Sequence, residues 1–352
     1  RMGFLMESRF QNSAVQDVNL NGSSNDKFAV LVAKTKKGSV AFVDLDANGE
    51  LTGAKAIQNY NIAQQAFTMT LPDPKTMTPP LTFALHIDDV TNIASFHFDD
   101  GGHGTHVAGI ACGYGLMGRK GFNGIAPGAQ VLSLKIGDNT LSGGSTTSDS
   151  MRRAIEFAGE WTVKHKRAVV MNISYGIGSE IEGESDIDRV LDKALAQYPL
   201  LAASVSAGNA GPGLSTVGTP AASRWAMAAA AMLPKASAAA LFGARIDGDQ
   251  VFSFSSRGGE INKPDVLLPG VASASVPHFH RRDIMGGTSM AAPQLAGLHA
   301  LLISAALDKK VQFTGSTLRR AIKDSAKPLS GYPLVAQGAG VPNAKRAWKA
   351  LR

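Results

Sequence analysis

Residues 168–205, AVVMNISYGIGSEIEGESDIDRVLDKALAQYPLLAASV, decide the fold class of this chain. The apolar runs 168–174 and 200–205 have the length and the side chains of buried strands. Residues 186–197 between them have the periodicity of an amphipathic helix, and Ser185 stands where a helix cap is expected. Buried strands that alternate with amphipathic helices predict an α/β fold with a doubly wound, mostly parallel sheet flanked by helices.

The same alternation continues on both sides of this stretch. It predicts a strand over Gln130–Ile136, a helix over 146–165 and a last helix over Pro342–Leu351. In doubly wound sheets, functional sites lie beyond the carboxyl ends of the strands. The segments Asn172–Gly178 and Ser206–Asn209 are therefore the expected positions of functional residues.

The first part of the chain has a different pattern. Its apolar runs predict strands without intervening helices, at Phe28–Ala33, Ser39–Leu45, Leu81–Ile87 and Ile93–Phe98. Prolines at positions 72, 74, 79 and 80 mark a loop between the second and third of these strands. We therefore expect a β-rich segment over 1–80 and the α/β domain over 81–352.

The composition is that of a globular protein. Of the 352 residues, 44% are hydrophobic, 18% are charged and 38 are glycine, which excludes a disordered chain. The longest apolar runs are much shorter than the roughly 18 residues that span a bilayer, so we expect no membrane span. Cys112 is the single cysteine, which excludes an intrachain disulfide. It is either a small buried side chain or a reactive thiol near the functional site.

The net charge of +7 is concentrated at the end of the chain. Residues 309–352 contain ten Lys and Arg against the single acidic residue Asp324. A basic segment can bind nucleic acid, but these side chains are spaced along predicted helices and have few aromatic neighbours that could stack on bases. The pattern favours a solvated helix face, and we expect no nucleic-acid partner.

Two short motifs carry the chemistry. Residues 103–109 read HGTHVAG and residues 287–293 read GTSMAAP. Each predicts a helix start, with His103 in one and Ser289 in the other. A serine hydroxyl becomes a good nucleophile when an imidazole takes its proton, and a helix N-terminus stabilises negative charge nearby. A single histidine, a helix-capping serine or an asparagine in a turn does not by itself indicate catalysis. Here Asn209 lies between the two motifs in the sequence, follows a buried strand and supplies an amide donor.

These motifs and their order resemble those around the catalytic histidine, the oxyanion asparagine and the catalytic serine of the subtilisin-like serine peptidases, over roughly residues 80–350. The resemblance implies that Ser289 attacks, that His103 is the base and that Asn209 binds the oxyanion of a protein or peptide substrate. It implies no cofactor and no catalytic metal, and it favours a secreted or periplasmic location. By the same resemblance, six residues line the substrate pocket: Ser174, Tyr175, Gly176, Ser206, Ala207 and Gly208. The edge strand that pairs with substrate is formed by Leu141–Gly144, which includes Gly143 and Gly144.

The family also expects a triad aspartate in an Asp-Ser/Thr-Gly setting before the histidine, and this string does not occur in the chain. Asp44 ends a predicted strand but lacks the adjacent glycine, so it is an alternative of low weight. We expect the aspartate upstream of Arg1, with residues 1–80 as an insertion before the histidine and further domains beyond both ends. The segment Asp44–Glu50 also resembles half of a calcium loop, but Lys55 stands where such a loop needs glutamate, and an ordinary turn is favoured.

A long insertion at this place, together with Leu134–Asp138 and Leu214–Gly218, resembles the tripeptidyl-peptidase II-like branch of the family. Exopeptidases of that branch hold the substrate amino group with acidic side chains, and the matching positions here are the neutral Ser145 and Ile177. We therefore expect an endopeptidase. Two alternatives stay open: a tripeptidyl exopeptidase, and an inactive fold that only binds peptides. Three acidic residues near the second position are candidates for an amine site: Glu180, Glu182 and Glu184.

Overall fold

The computed structural model describes residues 1–11, 13, 15–69, 81–99, 101–138, 146–276 and 280–352. The chain divides into two compact units. The first consists of residues 1–104, 135–147 and 276–281, and the second of residues 105–134, 148–275 and 282–352. Each unit has its own hydrophobic core.

The first unit is built from antiparallel strands. Its elements are β1 (Met2–Met6), a 3₁₀ turn (Glu7–Phe10), β2 (Lys27–Thr35), β3 (Gly38–Val43), β4 (Ile57–Gln58), α1 (Tyr60–Ala63), β5 (Phe67–Thr68), β6 (Thr82–Asp88) and β7 (Ile93–Phe98). Strands β1–β4 form one sheet and β5–β7 form another. One core joins them, because Phe28 and Val30 pack in the same cluster as Phe83 and Leu85. The predicted boundary at residue 80 therefore falls inside this unit, and the division into an insertion and a second domain stays a prediction.

The elements that follow are α2 (His103–Cys112), a 3₁₀ turn (Leu116–Gly118), α3 (Ser148–His165), β8 (Val169–Ile173), α4 (Asp186–Gln197), β9 (Leu201–Ser206), β10 (Met227–Leu233), α5 (Lys235–Phe242), β11 (Gln250–Val251), β12 (Val266–Pro269), β13 (Val271–Val276), β14 (His280–Gly286), α6 (Thr288–Lys309), α7 (Gly315–Ser325), α8 (Leu334–Gln337) and α9 (Ala344–Leu351). From Thr105 onward, α2 belongs to the second unit.

The central sheet of the second unit is mostly parallel. Strands β8, β9, β10 and β12 pair in this order and in parallel, and β11 pairs antiparallel with the end of β10. Alternate residues of a strand face opposite sides of a sheet. Accordingly, Met227 and Ala229 of β10 pack with Leu295 of α6, whereas Ala230 packs in a different cluster with Ala336 of α8. Both faces of the sheet are covered by helices, which confirms the predicted fold class.

The predicted helices and most predicted strands are confirmed to within two residues at each end. Ser185 caps α4, because its side chain accepts a hydrogen bond from the backbone N–H of Asp188. The strand predicted over Gln130–Ile136 is wrong. Its apolar side chains Val131 and Leu132 are exposed, and the segment makes no ladder with any strand of the described residues. Apolar composition alone does not make a strand, because the backbone groups also need a neighbouring strand to pair with.

Helix α6 is long and apolar enough to cross a membrane if length and composition are considered alone. However, 67% of the residues in its most apolar stretch are buried inside the protein. It packs against β8, β9, β10 and β12. This burial is typical of the core helix of a globular domain.

Candidate active site

Ser289 lies in the first turn of α6, and the residue before the helix shapes the space around it. Gly287 has φ of 150°, a conformation that favours glycine. A Cβ at this position would lie 3.3 Å from Nδ2 of Asn209. Glycine therefore keeps the side chain amide of Asn209 open beside the start of the helix. The backbone N–H of Ser289 lies in the first turn, where N–H groups have no acceptor within the helix.

The carboxamide of Asn209 is held by Thr288, the residue before Ser289. Oδ1 of Asn209 accepts hydrogen bonds from the backbone N–H of Thr288 at 2.9 Å and from its hydroxyl at 3.0 Å. The same hydroxyl accepts a hydrogen bond from the backbone N–H of Gly208 at 3.1 Å. Thr288 is fully buried, whereas Asn209 is exposed. Two bonds on the oxygen fix the plane of the amide and leave its N–H₂ group, on the other side, to face solvent or substrate.

Pro293 determines which donor bonds the backbone carbonyl of Ser289. The sequence motif predicts that this proline lies in the first turn of the helix, where it would remove only an N–H that has no acceptor within the helix. This prediction is wrong. Pro293 is the sixth residue of α6, so it removes the N–H that would have bonded the carbonyl of Ser289. The hydroxyl of Ser174 replaces that donor at 2.9 Å. In return the Ser289 hydroxyl donates to the carbonyl of Ser174 at 3.4 Å.

Ser174 follows β8 and is oriented by a residue of that strand. Nδ2 of Asn172 donates to the Ser174 hydroxyl at 3.1 Å. A chain of hydrogen bonds thus runs from the end of β8 to the start of α6 and fixes the first turn of the helix against the sheet. These contacts place Ser174 against the first turn of α6 at Ser289, and its part in the substrate pocket stays a prediction.

His103 is the first residue of α2, and its side chain is exposed. Val107, one turn further along the same face, is buried in a cluster with Ile110, Ala274 and Met290. Met290 follows Ser289 directly in α6. The second unit therefore packs the body of α2 against the first turn of α6.

The other predicted pocket residues differ in exposure. Tyr175 is partly buried and Gly176 is exposed. Ser206 ends β9 and Ala207 follows it, and both residues are buried. Gly208 has φ of 110°, and a Cβ there would lie 2.7 Å from the Ser256 hydroxyl, which fits a tight turn below Asn209. Leu141–Gly144, including Gly143 and Gly144, and Ser145 lie outside the described residues.

Of the three acidic candidates for an amine site, two have structural partners. The buried carboxylate of Glu182 accepts hydrogen bonds from the backbone N–H groups of Gly259 at 3.1 Å and Glu260 at 2.9 Å. Glu184 pairs with Arg189 at 2.7 Å, and this hydrogen bond lowers its pKa. Glu180 is exposed. At the other expected position, Ile177 is exposed and pairs through its backbone with Thr219.

Two further sequence interpretations concern side chains in loops and on α2. The carboxylate of Asp44 accepts hydrogen bonds from the backbone N–H groups of Asn48 at 3.2 Å and Gly49 at 2.9 Å, which is the geometry of an ordinary turn. No group of three or more His, Cys, Asp and Glu side chains within the described residues is arranged to hold a metal ion.

Cys112 is partly buried, and its thiol lies 3.4 Å from the carbonyl of Ala108. Burial raises the pKa of this thiol, which favours the structural interpretation over a reactive thiol.

Sequence reasoning missed the parts played by Thr288 and Asn172. Thr288 is inside the second motif, and a buried polar residue next to a candidate nucleophile indicates that its side chain holds another group of the site in place. Which group it positions depends on the fold, because Gly208 and Asn209 are about eighty residues away along the chain.

Comparison with known proteins gives a consistent result. The family model described as the subtilase family of S8 peptidases matches residues 84–341. Tripeptidyl-peptidase 2 of Drosophila melanogaster is 29% identical over 94% of this chain and 23% of its own length, and that of Caenorhabditis elegans is 32% identical over 77% of this chain and 20% of its own length. The crystal structure of tripeptidyl peptidase 2 superposes with a TM-score of 0.73 at 27% identity, over 92% of this chain and 24% of that one.

The chain therefore belongs to the subtilase family of serine peptidases, as the motifs predict. Among the relatives that it resembles are tripeptidyl-peptidases, as the resemblance to that branch predicts. The chain spans about a quarter or less of the length of these relatives.

Proposed function

We propose that this protein is a serine endopeptidase in which Ser289 is the nucleophile, His103 the base and Asn209 an oxyanion donor. The observation that carries the proposal is the clamp of Thr288 on Asn209. It holds an exposed amide donor beside the N–H of Ser289, at the start of a helix. Donors held in advance at the place where negative charge develops stabilise the transition state of acyl transfer.

In the proposed reaction, Oγ of Ser289 attacks the carbonyl carbon of the scissile bond while His103 takes the hydroxyl proton. The carbonyl oxygen becomes an oxyanion that accepts hydrogen bonds from Asn209 and from the backbone N–H of Ser289. The C–N bond then breaks as His103 gives the proton to the leaving amine, and water releases the acyl group from Ser289 by the same route. The pairing of His103 with Ser289 in this reaction rests on the two sequence motifs and on their order in the chain.

The preference for internal cleavage rests on charge. An exopeptidase that holds a free amino group needs an unengaged carboxylate near the substrate. Ile177 is neutral, and the carboxylates of Glu182 and Glu184 are already engaged by backbone N–H groups and by Arg189. These contacts support an endopeptidase, and of the three acidic candidates they leave the exposed Glu180 as the one to test for an amine site.

The test of the nucleophile uses two matched variants on one helix. Ser289→Ala is expected to abolish cleavage of an unfolded protein substrate and labelling by a fluorophosphonate. Ser304→Ala, which removes a hydroxyl from an exposed position of α6, is expected to leave both unchanged. Peptidase activity that persists in Ser289→Ala contradicts the assignment. A wild-type protein that binds unfolded chains but takes no fluorophosphonate would instead be an inactive peptide-binding fold.

A second candidate, a tripeptidyl exopeptidase, is favoured by the similarity to tripeptidyl-peptidase 2. The two candidates differ in their response to a blocked substrate. For an endopeptidase, acetylation of the amino terminus of a test peptide barely changes the cleavage rate. If acetylation abolishes cleavage and free peptides lose tripeptides, the exopeptidase is correct, and Glu180→Gln is the first variant to examine for the amine site.

A further inference from the structure

A cavity of about 290 Å³ lies in the second unit, away from Ser289. Its wall includes Leu201 and Met227, the first residues of β9 and β10, whereas Asn209 follows the other end of β9. His299 also lines it and is ten residues beyond Ser289 in α6, which corresponds to about 15 Å along the helix axis. The cavity is therefore at the opposite end of the parallel strands from the candidate active site.

The wall of this cavity is mostly apolar and contains one cation. Arg319 of α7 lines it, and its guanidinium lies 5.9 Å from the ring centre of the half-exposed Trp225, which also lines it. The side chain of Arg319 is 24% exposed. Its Nε–H is buried and has no acceptor among the described residues. That buried Nε–H is not open to a ligand, but Arg319 as a residue lines the cavity and its guanidinium has donors besides the one bonded to Asp265, so the wall favours an acceptor that carries negative charge.

The charges behind Arg319 strengthen this preference. Asp265 is buried, and its carboxylate is approached by Lys263 at 2.6 Å, Lys323 at 3.0 Å and Arg319 at 3.3 Å. Burial opposes the ionisation of Asp265, but these cations lower its pKa to about 2. One negative charge is thus shared among three cationic side chains. The excess positive charge lies in part at the cavity wall, on Arg319.

The other polar residues of the wall are neutral: they are Thr314, Ser316 and His299. Nδ1 of His299 donates to the carbonyl of Leu295 at 3.0 Å, which leaves Nε2 as an acceptor. Burial lowers the pKa of His299 to about 4, despite the opposing effect of this hydrogen bond. The wall therefore combines apolar surface, an aromatic ring, a guanidinium and a neutral imidazole.

We propose that this cavity is a second binding site, for a small organic carboxylate with an apolar or aromatic body, held by Arg319 and Trp225. An apolar cavity of about 150 Å³ in another protein holds benzene, so a volume of 290 Å³ has room for a ring together with a carboxylate. Guanidinium groups bind carboxylates through paired hydrogen bonds, and the ring of Trp225 offers a stacking surface.

The test is calorimetric titration of the whole protein with N-acetyl-L-phenylalanine and with its uncharged amide, N-acetyl-L-phenylalaninamide. The carboxylate is expected to bind at least tenfold more tightly than the amide. Arg319→Gln is expected to weaken binding of the carboxylate at least tenfold. Lys323→Gln is the matched control, because it removes the same charge and a bond to the same Asp265 oxygen, but Lys323 does not line the cavity. Its binding is expected to fall less than threefold.

A second variant tests where the ligand binds and leaves the cations around Asp265 unchanged. Ala196 is exposed and lines the cavity, so Ala196→Phe fills the space from outside and is expected to abolish binding with the melting temperature unchanged. The proposal is overturned if the amide binds as well as the carboxylate, or if Arg319→Gln and Lys323→Gln lose affinity equally. It is also overturned if Ala196→Phe binds like the wild type, as it would if the ligand occupied the site at Ser289 instead.

Discussion

Replacement of Thr288 by valine tests how the candidate oxyanion donor is held. Valine has nearly the shape of threonine, so the buried site stays filled, but the hydroxyl is lost. The backbone N–H of Gly208 then has no acceptor, and Oδ1 of Asn209 keeps only its bond to the backbone N–H of Thr288 at 2.9 Å. An unsatisfied buried donor costs about 1–3 kcal/mol. We expect the free energy of unfolding in urea to fall by this amount.

The effect on catalysis follows from the same contacts. Complete loss of an oxyanion donor costs about 2.7–4 kcal/mol, a magnitude known from subtilisin itself. Thr288→Val keeps the donor but frees its amide to rotate, so we expect roughly half of the lower figure, about 1.4 kcal/mol. This corresponds to about a tenfold decrease in kcat. KM should change little, because the oxyanion exists only after Ser289 has attacked.

A double-mutant cycle separates this effect from a general loss of stability. In the background of Asn209→Ala there is no amide left to hold, so adding Thr288→Val should lower kcat less than twofold. Thr162→Val is the matched control, because it also removes a buried threonine hydroxyl, which donates to the carbonyl of Gly159 in α3. It should lower stability without changing kcat. Equal effects of Thr288→Val in both backgrounds, or an unchanged kcat in the single variant, would refute the reasoning.

Three further predictions follow from contacts elsewhere in the chain. Ser174→Ala leaves the carbonyl of Ser289 without a donor, so peptidase activity should fall. Adding Pro293→Ala returns the helical N–H that bonds this carbonyl and should restore part of the activity, which turnover assays of the single and double variants can check. His299 has a pKa of about 4 in the folded protein and 6.5 in the free side chain, so the unfolded chain binds the proton more readily. Its contribution to the free energy of unfolding should be complete above about pH 6.5 and should fall by about 3 kcal/mol as the pH drops to 4. Urea titrations at several pH values should show that His299→Asn lacks this part of the pH dependence. Asp44→Asn should change peptidase activity less than twofold, because the carboxylate serves a turn, and a complete loss would identify Asp44 as the triad acid.

The sequence by itself determined the class of fold and the family, and it is the source of the proposal for the reactive side chains. Buried strands and amphipathic helices have different periods, and both periods are clear around 168–205, so the α/β class could be predicted without coordinates. The helix cap at Ser185 could be predicted for the same reason, because a cap depends on residues only three positions apart. The two motifs at His103 and Ser289 identified the family because each is a local string.

The tertiary structure alone decided features that depend on distant residues. The segment Gln130–Ile136 has the composition of a strand but no neighbouring strand to pair with, and pairing is not a local property. The donor that replaces the missing N–H of Pro293 comes from Ser174, 115 residues from the carbonyl of Ser289 that it bonds, and the amide that Thr288 holds is 79 residues away. The cavity beside Arg319 combines β9, β10, α4, α6 and α7, which only packing brings together. Hydrogen-bond partners and cavities are set by the arrangement of whole elements, and the order of residues in each element does not specify them.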